Sequence, residues 1–262
     1  MPTTQPEPIP ARDPPPVGEL AWRLTLVRER RPRVHCLTNP VAMTLSANLL
    51  LAAGAVPSMT AEVAAQADFL RGSDALVVNL GMLDHARLEA IGAATALAAE
   101  LGRPWALDPV KVDRSPDRLD VARRLVEAGP AVVRANDAET AALVRGGRRR
   151  AAHLAGEFGC VVAVTGPADL VTDGRRSLEI RNGSPLMDRV TGMGCAASAL
   201  LGAFLAVEPD AYLATAAALL VAGVAGDIAT ETARGPGSFV PAFLDAVYTL
   251  DEATLAQRAR LT

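Results

Sequence analysis

Short apolar runs alternate with longer helical stretches along most of this 262-residue chain. Residues 20–31 carry an amphipathic helical period, and 34–37 form a short apolar run of strand length. Residues 44–53 (TLSANLLLAA) predict a helix, with Gly54 placed to cap its C-terminus. The run 74–80 (DALVVNL) is apolar almost throughout, as a parallel strand buried on both faces would be. The alternation continues with helix at 85–101, strand at 104–107, helix at 117–128, strand at 131–134, a helix starting at 138–144 and strand at 161–165. Segments 170–172 and 177–180, separated by Asp173-Gly174, predict a β-hairpin at a sheet edge. Three helices close the chain, at 194–206, 212–232 and 240–249.

Strand and helix alternating at this spacing imply an α/β fold, a mostly parallel central sheet with helices on both faces. With no internal repeat and no linker, residues 18–262 are expected to form a single domain. Residues 1–17 (MPTTQPEPIPARDPPPV) have the proline density of a disordered or extended tail and lack the apolar core of a signal peptide.

Half of the residues are hydrophobic and aromatics are few, so the core must rest on Leu, Val, Ala and Ile. The net charge of −3 gives no basic excess for nucleic acid, and the run Arg148–Arg150 is expected to be solvated. The apolar stretch 211–225 is short for a membrane span and predicts a buried helix. Three cysteines, Cys36, Cys160 and Cys195, match neither a disulfide framework nor a zinc site, which points to a reducing cytoplasm.

Polar residues follow several strands directly: Asn79-Leu80-Gly81, Asp108-Pro109, Arg134-Ala135-Asn136 and Thr165-Gly166. Ligands of such sheets bind beyond the carboxyl ends of the strands, so these groups should converge. The sharpest local signal is 188–203 (DRVTGMGCAASALLGA). Gly192 and Gly194 frame a turn into a small-residue helix whose free amides suit a phosphate. Cys195 falls in the first turn, where the helix dipole favours a thiolate able to act as a base. The plainer alternative makes Cys195 a small buried hydrophobe. In Asn136-Asp137-Ala138-Glu139, Glu139 either completes a capping box or holds a magnesium ion through waters, with Asp108 as the second carboxylate.

The ordered set of segments resembles the hydroxyethylthiazole kinase family of the ribokinase-like superfamily. His35-Cys36-Leu37-Thr38-Asn39 resembles its H-x-I-T-N start, and Gly54-Ala55-Val56-Pro57-Ser58-Met59 its G-A-x-P-x-M segment. Asn79-Leu80-Gly81, Asp108-Pro109-Val110, N-x-x-E, Thr165-Gly166, the V-T-G-x-G-C loop at 190–195 and the GPGSF segment at 235–239 follow in order. The resemblance implies a ribokinase-like three-layer sandwich that phosphorylates the primary alcohol of 4-methyl-5-(2-hydroxyethyl)thiazole with ATP and Mg2+, in thiamine salvage. It implies Cys195 as base; Met59, Gly192 and Asn39 at the substrate; Arg134, Thr165 and Gly194 at ATP; and Asp108 and Glu139 near the metal. It also implies a homotrimer with active sites between subunits.

Several positions depart from that pattern. Residues 111–114 (KVDR) replace a glycine-rich stretch, Met82 replaces a threonine, Thr44 replaces an asparagine and Ala64-Ala65 replace a glutamate pair. These differences leave open a kinase of another small alcohol, or a binding relative without turnover.

Overall fold

The structure, a computed structural model, describes residues 14–144 and 150–262. Residues 1–13 of the expected tail, and Arg148 and Arg149, lie outside the described residues. Residues 14–16 lead straight into helix α1 (Val17–Arg30), which starts three residues earlier than its apolar period suggested.

Among the described residues eight strands form one sheet, in the order β2-β1-β3-β4-β5-β6-β7-β8. They are β1 (Arg33–Leu37), β2 (Val56–Ser58), β3 (Ala75–Asn79), β4 (Trp105–Asp108), β5 (Val132–Asn136), β6 (Val161–Thr165), β7 (Asp169–Thr172) and β8 (Ser177–Ile180). All pairings from β2 to β6 are parallel, and β7 and β8 add the expected antiparallel hairpin at the edge. Strand β2, only three residues long, was hidden in the sequence between a glycine cap and a loop.

The sheet is apolar on both faces because helices cover both. Val77, Ala106, Val132 and Ala163 point to one core, and their neighbours Val78, Leu107, Val133 and Val164 to the other. On the first face lie α2 (Met43–Ala52), α8 (Met193–Leu205), α9 (Ala211–Thr232) and α10 (Pro236–Thr249). On the second lie α4 (His85–Glu100), α5 (Pro116–Glu127) and α7 (Ala151–Phe158). The short helices α3 (Gln66–Arg71), α6 (Asp137–Leu143) and α11 (Glu252–Arg258) complete the fold. Helices α3, α7 and α11 carried too few residues for a clear helical period.

Helix α9 is 22 residues long and apolar enough to cross a membrane by length and composition, but 78% of that window is buried inside the fold. It is the expected core helix. Helix α8 packs against the sheet centre: a Cβ added at Gly202 would lie 2.6 Å from Val77 and 2.7 Å from Val34. That close approach fixes where α8 begins relative to the strand ends.

Candidate active site

Four parallel strands end side by side in polar residues. Their register pairs Asn79 with Asp108 and Asn136 with Thr165. Helix α8 begins over this edge. Its N-cap, Gly192, has φ 84°, a left-handed conformation that disfavours any side chain. A Cβ there would also sit 3.2 Å from Cα of Ala42. Met193, Gly194 and Cys195 form the first turn. The amides of Gly194 and Cys195 precede every intrahelical acceptor and carry the positive end of the helix dipole.

Cys195 is partly buried in a connected hydrogen-bond network. Asn39 Nδ2 donates to Cys195 Sγ at 3.3 Å and to Asn79 Oδ1 at 3.0 Å. Asn79 Nδ2 donates to Asp108 Oδ2 at 2.8 Å, and Ser198 Oγ donates to the same oxygen at 2.8 Å. Ser198 stands one turn beyond Cys195, so the network starts and ends on α8. Arg134 Nη1 joins it, donating to Gly194 O at 3.0 Å and Ser198 Oγ at 3.2 Å. Asn39 Oδ1 accepts from the Ala42 amide at 3.2 Å, which fixes the orientation of the Asn39 amide.

The electrostatics correct one expectation. Burial pushes the Cys195 thiol above its ordinary value and the Asp108 charge adds to this, while Asn39, Asn79 and Arg134 act in the opposite direction. In the free protein the helix start therefore does not by itself produce a thiolate. Burial also raises the Asp108 carboxyl, against the nearby Arg134 charge and the Ser198 and Asn79 hydrogen bonds; the Glu139 charge raises it further.

Glu139 completes the capping box. Its amide donates to Asn136 Oδ1 and its Oε2 accepts from the Asn136 amide, both at 2.9 Å. Its Oε1 accepts from the Lys111 amide at 2.8 Å. Lys111 has φ 58°, so a lysine occupies a left-handed position that glycine would fill without strain. The carboxylate of Glu139 thus ties the 110–114 turn to the start of α6. Thr165 lies at the next strand end, its Oγ1 3.5 Å from Ala135 O. Among the described residues no group of three or more His, Cys, Asp or Glu is arranged to hold a metal. Asp108 and Glu139 are a pair of carboxylates, near enough for one to shift the other.

Met59 lies outside this network, in an adjoining cavity of about 220 Å³. Cys36, Thr38, Pro40, Met43 and Arg87 also line it. Thr38 and Pro40 flank Asn39, so the cavity adjoins the chain segment that holds Cys195. The structure thus brings Cys195, Asn39, Asp108, Arg134, Gly192 and Gly194 together, sets Glu139 and Thr165 at the neighbouring strand ends and puts Met59 next door. Ser198 and Arg87 were not expected. The i, i+3 spacing of Ser198 from Cys195 was the available signal for the first. Nothing in the sequence marked Arg87, which is buried and donates from Nη1 to Thr38 O at 2.8 Å.

The sequence profile of the hydroxyethylthiazole kinase family matches residues 24–253. A hydroxyethylthiazole kinase of Granulibacter bethesdensis is 47% identical over 91% of this chain and 93% of its own length. One from Zea mays is 39% identical over 94% of both chains. The solved structure of the Pyrococcus horikoshii OT3 hydroxyethylthiazole kinase protein superposes with TM-score 0.90 at 38% identity, covering 93% of this chain and 98% of that one. Pyridoxal kinase from Staphylococcus aureus, at 18% identity and TM-score 0.61, shares the fold.

Proposed function

The chain belongs to the hydroxyethylthiazole kinase family, and we propose that it transfers the γ-phosphoryl group of ATP to the primary alcohol of 4-methyl-5-(2-hydroxyethyl)thiazole. The observation that carries this reading is the α8 first turn with Cys195 held by Asn39, whose chain neighbours Thr38 and Pro40 line the Met59 cavity.

The apolar side chains of Met59, Met43 and Pro40 suit a small heteroaromatic ring. With the ring there, the hydroxyl reaches past Asn39 toward Cys195 Sγ. As the bond from the γ-phosphorus to the bridging oxygen breaks and the alcohol oxygen bonds to that phosphorus, the proton passes to the sulfur. The transition state is loose, so positioning and charge stabilisation dominate. The Gly194 and Cys195 amides face the transferring oxygens. Arg134, held on Gly194 O, would contact the same anion, and Thr165, at the neighbouring strand end, would contact the nucleotide. The elevated thiol pKa makes the ionised sulfur a strong proton acceptor while lowering its population.

The donor chemistry fits a magnesium ion. Two oxygen-donor carboxylates lie close enough that Glu139 raises Asp108, and a divalent cation relieves such repulsion. Glu139 is committed to backbone amides through both oxygens, so it would hold the ion through waters, with Asp108 as the second carboxylate. The ion supplies charge neutralisation for the ATP phosphates. We place the enzyme in the cytoplasm as a homotrimer. Exposed Val41, Met43 and Met82 around the site support a covering subunit, and the mass in solution tests that reading.

The test is ADP release with hydroxyethylthiazole and MgATP, with the phosphorylated product identified by mass. A second reading, another small alcohol, is motivated by Lys111 and Met82, both at positive φ where the family pattern has other residues. Turnover of a panel of primary alcohols separates the two. ATP binding without turnover of any alcohol would indicate a decayed relative.

A further inference from the structure

His35 is fully buried on β1 and takes no part in the network around Cys195. Its Nδ1 lies 2.9 Å from Ser58 Oγ and its Nε2 lies 3.2 Å from Gln66 Oε1. The proton positions follow from Gln66. Its Nε2 donates to two carbonyl oxygens, Thr60 O at 3.1 Å and Glu62 O at 3.0 Å. Carbonyls only accept, so the nitrogen of Gln66 is fixed there and its oxygen faces the imidazole. His35 Nε2 must then carry a proton. In the neutral ring Nδ1 is an acceptor, filled by the Ser58 hydroxyl. Burial lowers the His35 pKa, against the side-chain hydrogen bond to Gln66 and the backbone of Ser58, and so favours the neutral ring. Phe69, one turn beyond Gln66 on α3, stacks on the ring with centroids 5.6 Å apart and planes at 23°.

One imidazole therefore holds both ends of the 58–66 segment. Ser58 precedes Met59, and Gln66 grips the carbonyls of Thr60 and Glu62. Met59, Thr60 and Ala61, which line the 220 Å³ cavity, lie between the two attachments. Segment 59–62 has no helix or strand of its own to set its path.

We propose that His35 is a positioning residue for substrate binding: its imidazole clasps Ser58 and Gln66 and thereby holds Met59 against the ring of the alcohol substrate. The proposal rests on the reading of the cavity as the alcohol site. The clasp acts on ground and transition states alike, so it shows in KM and leaves kcat unchanged.

Two variants test it: Ser58→Ala loses only the hydroxyl arm of the clasp, and Gln66→Met loses the imidazole arm together with the two bonds to the Thr60 and Glu62 carbonyls. Gln66→Met keeps the side-chain shape; Ser58→Ala removes the hydroxyl, with Ser58→Thr as the conservative rescue. In the first two, KM for hydroxyethylthiazole should rise roughly three- to tenfold, with kcat and the KM for ATP unchanged. Ser58→Thr should restore KM. Amide hydrogen exchange should accelerate in 58–66 and not in β1 or β3. In 15N-histidine spectra of the unmodified protein, one of the three histidines should carry its proton on Nε2 alone. A proton on Nδ1 of His35, or unaltered exchange in both variants, overturns the clasp, whatever Met59→Ala does to KM. Faster exchange with unaltered KM also overturns the proposal. If Met59→Ala then leaves KM unaltered as well, the reading of the cavity falls with it.

Discussion

Asn39 spends one amide proton on Cys195 Sγ at 3.3 Å and the other on Asn79 Oδ1 at 3.0 Å. The sulfur thus receives a hydrogen bond from a side chain whose own orientation is fixed at three points. Such a contact favours the ionised sulfur, the form a base needs. Cys195→Ala should lower kcat by about 10²–10⁴ while the far-ultraviolet dichroism and ATP affinity stay unaltered. Cys195→Asp should retain activity, because a carboxylate there can accept the same proton. Normal turnover of Cys195→Ala would reduce the residue to packing.

Asp108 is buried, and burial raises its carboxyl above the usual carboxylate range. A group raised in the folded state contributes stability that is fully present below its unfolded pKa, about 4, and is lost as pH rises through the folded value. Asp108→Asn has no charge to bury and keeps an acceptor for Asn79 and Ser198. It should melt higher than the parent protein at neutral pH, with the gap closing below pH 4, while turnover collapses. A lower melting temperature at pH 7 would show that the hydrogen bonds to the charged form outweigh its burial.

The same carboxylate bears on the thiol. Asp108 raises the Cys195 pKa, so Asp108→Asn should let iodoacetamide react with Cys195 at lower pH than in the parent protein. Cys36, pushed up to about 12 by complete burial, should stay unreactive and serve as the internal control. Identical alkylation profiles would remove Asp108 as an influence on the sulfur.

The capping duty of Glu139 is separable from its proposed metal role. Glu139→Gln leaves one of the two backbone amides facing an NH2 group, which should cost about 0.5–2 kcal/mol, as cap losses do. It should also raise the magnesium concentration needed for half-maximal turnover and lower kcat more than it weakens alcohol binding. If the melting temperature alone moves, Glu139 is a cap and nothing more.

Met59 is partly buried and lines the cavity. Met59→Ala should raise KM for the alcohol with kcat and ATP affinity little altered. Loss of thermal stability with a normal KM would make it a packing residue, for which about 2–5 kcal/mol is the usual cost when fully buried.

The sequence by itself determined the alternation of strands and helices, the parallel sheet and its terminal hairpin. It also determined Gly54 at φ 93° after α2 and the glycine turn into α8. These are local matters: apolar periodicity, turn chemistry and helix termini act within a few residues. It marked the strand-end polar residues too, since their position after an apolar run is written in the chain. Tertiary structure alone decided which of them meet. Asn39 and Cys195 are 156 positions apart, and Asp108 and Ser198 are 90. Their contacts depend on where α8 lands on the sheet, set by Gly202 against Val77 and Val34. The charge state of Cys195 was decided there as well. The first-turn position argued for a thiolate, but burial and the Asp108 charge, both products of packing, push the other way. The pairing of His35 with Ser58 and Gln66 joins residues 23 and 31 positions away across short elements whose length carries no period. Burial and long-range charge depend on three-dimensional neighbours, which local pattern does not encode.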